Sequence, residues 1–184
     1  YRTEEGKILL SSALENDDYS LIKTKEGRRI VVVIRPKKPL TLLNARINVG
    51  AAFAPDCRFF VNGYQSWTDA RLYDHDEELH NINRLPKPLL DRFHFEAYGD
   101  YRFRKYRKGE LHGFTFAYVR NPDGMSDLIG SLNEENAWLV ITYKKEKQLM
   151  VFESDCEGRL IKDDFTLFDL VHYKGRTKDV LKSY

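Results

Sequence analysis

Only two cysteines occur in the 184 residues, Cys57 and Cys156, and they stand far apart. One potential pair in a chain of this size is not a disulfide framework, so two free thiols in a reducing compartment are expected. Long apolar runs are missing as well. None approaches the roughly 18 residues that a membrane-spanning helix needs, and no basic-then-apolar secretory segment opens the chain. The sequence starts at Tyr1 rather than at Met, so residues can precede it; with that proviso, cytoplasmic placement is the simplest expectation. Charge of one sign is not in excess either. Thirty basic residues against 28 acidic ones give a net charge of +2, which provides no electrostatic footprint for nucleic acid or for an anionic membrane. No internal repeat or low-complexity tract is visible.

Self-sufficient catalytic signatures are absent too. There is no GxGxxG or GxxxxGK[ST] phosphate loop and no GxSxG nucleophile elbow. The ligand-rich run Asp74-His75-Asp76-Glu77-Glu78-Leu79-His80 lacks the i, i+4 histidine spacing of a helical zinc site, and reads as a solvated acidic loop. Neither cysteine sits in a catalytic signature. No cofactor or metal is expected. Carboxylates are plentiful, but a glycosidase pair is defined by its separation in space.

What the chain does have is aromatics, at 13%, with 11 Tyr and 11 Phe, beside an ordinary 42% hydrophobic and 32% charged content. Aromatic side chains suit half-buried pleated surfaces. A chain of this length fits one domain that buries about 70% of its unfolded surface. The run Ile30-Val31-Val32-Val33-Ile34 reads as a strand over residues 29–34, broken by Pro36 and Pro39. From 43 to 49 apolar residues (Leu43, Ala45, Ile47, Val49) alternate strictly with Asn44, Arg46 and Asn48, which means one buried and one wet face. Further strands are expected over 59–64, 101–106, 114–119, 138–143, 149–154 and 165–173, with Phe114, Phe116 and Tyr118 forming an aromatic stripe at period 2. Asn62-Gly63, Lys108-Gly109, Asn121-Pro122-Asp123-Gly124 and Glu157-Gly158 mark turns between strands or at their ends. Residues 1–28 are polar and weakly patterned, and residues 68–97 read as a long excursion with one helical turn around 89–93. Near the end, Thr177 is a candidate N-cap for a helix starting at Lys178. The pattern as a whole predicts an all-β antiparallel sandwich with few short helices.

The least ordinary stretch runs from Phe59 to Asp69. Asn62-Gly63 permits a sharp redirection, after which Tyr64 and Trp67 flank Gln65 and Ser66. Amphipathic rings beside hydrogen-bonding side chains suit a sugar, whose apolar face lies on an aromatic ring and whose hydroxyls need donors and acceptors. The same rings also suit a core that closes a sheet edge.

The segment Asn62-Gly63-Tyr64-Gln65-Ser66-Trp67 resembles the Asn-Gly-Trp/Tyr-Gln-Ser-Trp segment in the N-terminal domain of α-galactosidases of glycoside hydrolase family 36. Other stretches resemble the same domain in the same order: Tyr98-Gly99-Asp100-Tyr101, Gly109-Glu110-Leu111-His112-Gly113-Phe114, Ile129-Gly130-Ser131-Leu132, Asp155-Cys156-Glu157-Gly158 and Phe168-Asp169-Leu170-Val171. The resemblance runs from about Phe59 to Val171. It implies a β-supersandwich of the galactose-mutarotase-like kind over residues 1–174, with 175–184 starting a linker or helix that leads to a catalytic (β/α) barrel. In the family, two aspartates of that barrel carry out retaining hydrolysis of terminal α-galactosides, so no catalytic residue is expected in this chain. The resemblance gives Trp67 a place over the galactose pocket, with Tyr64 standing where the family often has Trp. Asn62, Gly63, Gln65 and Ser66 would brace the loop, and Asp69 and Arg71 would lie at its rim. The implied partners are the α-galactoside substrate, the barrel of the same polypeptide and neighbouring copies in a homo-oligomer.

Two other readings compete. One is a free-standing carbohydrate-binding β-sandwich module. The other is a small enzyme on a mutarotase-like sandwich that uses His112, His172 and Glu153, although nothing in their spacing unites them.

Overall fold

The computed structural model describes residues 15–51, 53–63, 70–77 and 109–184, the backbone of residues 2–3 and 6–7, and Pro88 and Arg92. It is all-β, built from two antiparallel sheets packed face to face. The first sheet has the order β2 (Gly6–Lys7), β1 (Arg2–Thr3), β5 (Leu40–Gly50), β12 (Leu149–Ile161), β11 (Trp138–Lys144) and β8 (Glu110–Phe114). The second has the order β3 (Tyr19–Glu26), β4 (Arg29–Pro36), β13 (Phe165–Arg176), β10 (Met125–Ser131), β9 (Phe116–Arg120), β6 (Arg58–Val61) and β7 (Arg71–Tyr73). One helix, α1 (Thr177–Ser183), follows β13. Pro88 and Arg92 are helical; the other residues of the turn expected around 89–93 lie outside the described residues. No helix among the described residues is long and apolar enough to cross a membrane. The strand expected over 101–106 lies outside the described residues.

The alternation in β5 holds from Ala45 onward but not at its start, where Leu42 rather than Leu43 enters the core, beside the register shift of the partner strand β12. Ile47 pairs with Phe152 and Val49 with Met150 across the ladder to β12, all on the inner face, while Arg46 opposite Glu153 takes the outer one. Leu42, Leu111 and Ile141 from the first sheet meet Ile34, Phe59 and Val61 from the second in a single buried core. Cys57 and Cys156 are both in that core as free thiols.

Several expectations are corrected. Residues 1–28 include a full strand: β3 pairs with β4 from Tyr19↔Pro36 to Glu26↔Arg29, through a two-residue turn with Gly27 at φ 57°. Its polar sequence belongs to a sheet edge, where lysines discourage further pairing. β4 runs past Ile34, where the strand was expected to stop, to Pro36, which occupies the last ladder position opposite Tyr19. The stripe Phe114, Phe116, Tyr118 is not one strand. Thr115 stands between β8 and β9 at φ 64°, and the chain passes there from the first sheet to the second. Glu157-Gly158 is not the turn that ends a strand but a bulge inside β12. Both residues have positive φ (58° and 72°), and the register to β5 shifts between Asp155 and Arg159. β10, which the polar sequence Met125-Ser126-Asp127 concealed, lies between β9 and β13.

Thr177 is the first helical residue rather than the cap. Arg176 holds the N-cap position and makes no side-chain cap bond. The Thr177 hydroxyl is instead 2.8 Å from the Ser126 hydroxyl of β10. That contact helps turn α1 back onto the outer face of the second sheet, where Val180 is buried against Tyr118 and Leu128.

Candidate functional site

β6 leads into the Asn62–Trp67 segment, and both of its faces are anchored. On the inner face, the Phe59 ring stacks on Tyr143 at 4.1 Å, and Phe53 meets both rings edge-on at 5.2 and 5.3 Å. On the outer face, Phe60 stacks on Tyr118 at 4.7 Å and on Phe116 at 5.5 Å. Offset and edge-on pairs of this kind add to the burial of their area.

At the end of β6 the chain is clasped to the opposite sheet. The Phe114 N–H donates to the Asn62 carbonyl at 2.9 Å, and the Asn62 side-chain amide donates to the Phe114 carbonyl at 3.3 Å. The approach is close because residue 113 is glycine. A Cβ there would lie 2.8 Å from the Asn62 backbone nitrogen and 3.0 Å from the Val61 Cβ. The chain returns in β7, which pairs with β6 in the register Phe59↔Tyr73, Val61↔Arg71. Residues 62–70 therefore connect two paired strands at the edge of the second sheet. β7 itself was not expected from the sequence, where 68–97 read as a single excursion; three residues are too few for a period to show.

Asn62 and Gly63 are the described members of the segment. Tyr64, Gln65, Ser66, Trp67 and Asp69 lie outside the described residues. Arg71 is taken up locally: its guanidinium sits 4.0 Å from the centre of the Tyr73 ring and 3.1 Å from Glu77. That hydrogen bond, with a second from the Asp74 N–H, holds the Glu77 carboxyl below its usual range. Arg58 pairs with Asp74 at 2.6 Å, and the Lys145 ammonium donates to the Glu77 carbonyl. Asp74 and Glu77 are thus each paired with a cation of the same chain, and among the described residues no group of three or more His, Cys, Asp or Glu is placed to hold a metal ion. Glu78 and His80 lie outside the described residues.

One acidic group near the clasp was not singled out from sequence. Thr115, next to Phe114, donates through its hydroxyl to Glu134 Oε2 at 3.2 Å. The other oxygen, Oε1, is buried with no hydrogen-bond partner among the described residues. Burial raises the Glu134 carboxyl above its usual range. A β-branched residue at positive φ, such as Thr115, is an outlier that only its surroundings can hold in place. Here the Thr115 N–H donates to the Leu139 carbonyl at 3.2 Å, and the Thr115 carbonyl accepts from the Ser131 N–H at 2.7 Å. The glycine inside the strand sequence of residues 110–114 was the available signal for this close approach.

His112, His172 and Glu153 do not converge. His112 (β8) and Glu153 (β12) belong to the first sheet, where Arg46 Nε donates to Glu153 at 3.0 Å. His172 (β13) belongs to the second sheet, with its Nε2 3.1 Å from Asp127.

No family model matches the chain, and no curated protein matches it in sequence. Among solved structures it is similar to TtGalA, an alpha-galactosidase from Thermus thermophilus in complex with stachyose, with a TM-score of 0.42 and 17% sequence identity. The alignment covers 90% of this chain and 32% of that one, so this chain spans about a third of that enzyme's length. At this distance the likeness identifies neither an activity nor a ligand for the chain.

Proposed function

We propose that this chain is the non-catalytic N-terminal domain of a retaining α-galactosidase of glycoside hydrolase family 36, which hydrolyses terminal α-galactosides. Its task in that reading is to hold Trp67, with Tyr64 beside it, over the sugar pocket of a catalytic barrel in the same polypeptide. Its outer surfaces pack on that barrel or on neighbouring subunits, and the whole enzyme works in the cytoplasm. The observation that carries the reading is the sequence Asn62-Gly63-Tyr64-Gln65-Ser66-Trp67 together with the clasp that ties its first residue, Asn62, across the sandwich to Phe114. A loop that presents a ring to a sugar needs such a rigid base, since positional error at a subsite is costly. Catalytic carboxylates belong to the barrel in this reading, and the chain alone turns over no substrate.

The test is the polypeptide encoded beyond Tyr184. An alternation of strands and helices with aspartates at strand ends supports the reading. In that enzyme, Trp67→Ala is expected to lower kcat/KM by about 30-fold, the equivalent of about 2 kcal/mol for a truncated anchor aromatic, without a change in Tm. Unchanged kinetics with a much lower Tm would return Trp67 to the core. A stop codon directly after Tyr184, with millimolar galactoside binding by the chain alone, would replace the reading with the free-standing sugar-binding module.

A further inference from the structure

Residues of both sheets line a partly open cleft of about 690 Å³, within the range of about 300–1,000 Å³ usual for small-molecule sites. Its walls are apolar. Ile47, Val49 and Met150 of the first sheet face Val32, Ile129 and Leu170 of the second. Val49 is 45% exposed although it continues the buried face of β5, so the wall is open to solvent rather than closed by packing. Charged and titratable groups of the lining are Lys23, Tyr118, Asp127 and His172, all from the second sheet. Asp127 is matched within the chain, 3.1 Å from His172 Nε2 and 3.8 Å from the Lys174 ammonium. Lys23 has no ion-pair partner among the described residues.

This distribution selects a ligand. A sugar or a peptide would strand most of its polar groups against largely apolar walls, which is costly without partners. A long apolar body gains from every methylene buried there, and Lys23, unmatched among the described residues, asks for one anionic end. We propose that the cleft binds a medium-chain fatty acid anion, with its tail between the sheets and its carboxylate at Lys23. The cleft is built from strands of both sheets and does not involve the residue 62–70 connection, so the proposal stands apart from the glycosidase reading.

Calorimetric titration of the chain with dodecanoate, below its micelle concentration, tests this. Saturable 1:1 binding is expected, weakening by about fourfold for each methylene removed on going to decanoate and octanoate. Dodecanol should bind more weakly than dodecanoate, and Lys23→Glu, at an exposed position, should abolish that preference. Ile129→Trp fills the cleft and should abolish binding. Should that variant fail to fold, Val49→Trp at the half-exposed wall serves the same purpose. Absence of saturable binding overturns the proposal, whether a further segment of the polypeptide or a second copy fills the cleft instead. Binding that ignores chain length or survives the filling substitution overturns it too, and equal affinity for acid and alcohol overturns the assignment of the carboxylate to Lys23.

Discussion

The ring of Tyr184 lies on the bare backbone of Gly130. A Cβ on that glycine would collide with the ring, and the Tyr184 hydroxyl donates to the Ser131 carbonyl at 2.7 Å. The ring also rests on Phe116 at 5.2 Å, at the end of the helix whose Val180 is 3% exposed. Gly130→Ala is therefore expected to dislodge the ring and to cost about 1–3 kcal/mol, the range for inserting volume into a packed site. In a Tyr184→Ala background the same substitution should cost much less, because the atom it strikes is gone. Urea unfolding of the four proteins measures the coupling; equal costs in both backgrounds would mean that Gly130 serves something other than the ring.

The clasp at Gly113 makes a harsher prediction. The atoms that an added Cβ would meet include the Asn62 nitrogen and Val61 Cα, at 2.8 and 3.1 Å, which are backbone and cannot swing aside. Gly113→Ala should cost about 3 kcal/mol or more, at or above the top of the overpacking range. Asn62→Ala removes one side-chain hydrogen bond and should cost only about 1 kcal/mol. Comparable small losses from both, in chemical unfolding, would mean that the sheets are not held this closely at Asn62.

Glu134 gives stability a sign that is unusual for a carboxylate. Burial raises its pKa in the folded chain, so between its ordinary pKa and the raised one the folded state binds more protons than the unfolded state. Its contribution is then greatest below the ordinary value and is lost as pH rises through the raised one. Glu77 runs the other way: Arg71 lowers its pKa, so its contribution is present above the ordinary value and is lost as pH falls. Glu134→Gln is expected to raise Tm near neutral pH and to leave it unchanged near pH 4. A substitution that lowers Tm at both pH values would show that the ionised carboxylate has a partner that stabilises it.

The two thiols should be silent in the folded protein. Burial pushes the Cys156 thiol up to about 11 and raises that of Cys57, and thiolate is the reactive form. Alkylation at pH 8 is expected to proceed at the rate of unfolding and to become fast in denaturant. Rapid labelling of Cys156 in native conditions would place its bulge in a mobile part of β12.

Much of the fold is written in local pattern. The alternation from Leu43 to Val49 and the β-branched run from Ile30 to Ile34 specify strands because a pleated surface has period 2 and one wet face, whatever it packs against. The count of two cysteines likewise sufficed to set aside a disulfide scaffold, and both are free thiols. The Asn62–Trp67 segment could be recognised as unusual, but its root depended on Gly113, half a hundred residues further on, whose role no window around Asn62 contains. Sheet membership was decided in the same way. Phe114 and Phe116 look like one stripe, yet Thr115 sends them to different sheets, since its positive φ is held by bonds to Leu139 and Ser131. Arg29 and the buried Asp169 form a two-pronged pair at 2.8 Å across 140 positions of sequence. The sequence by itself determined the strongly patterned strands, such as those around Ile30–Ile34 and Ala45–Val49, because their pattern depends on neighbours two residues apart; β3, β7 and β10, too polar or too short to show a period, it did not reveal. Only the tertiary structure decided which strands pair, where the chain crosses and what rests on what, because those depend on contacts between residues that local sequence does not bring together.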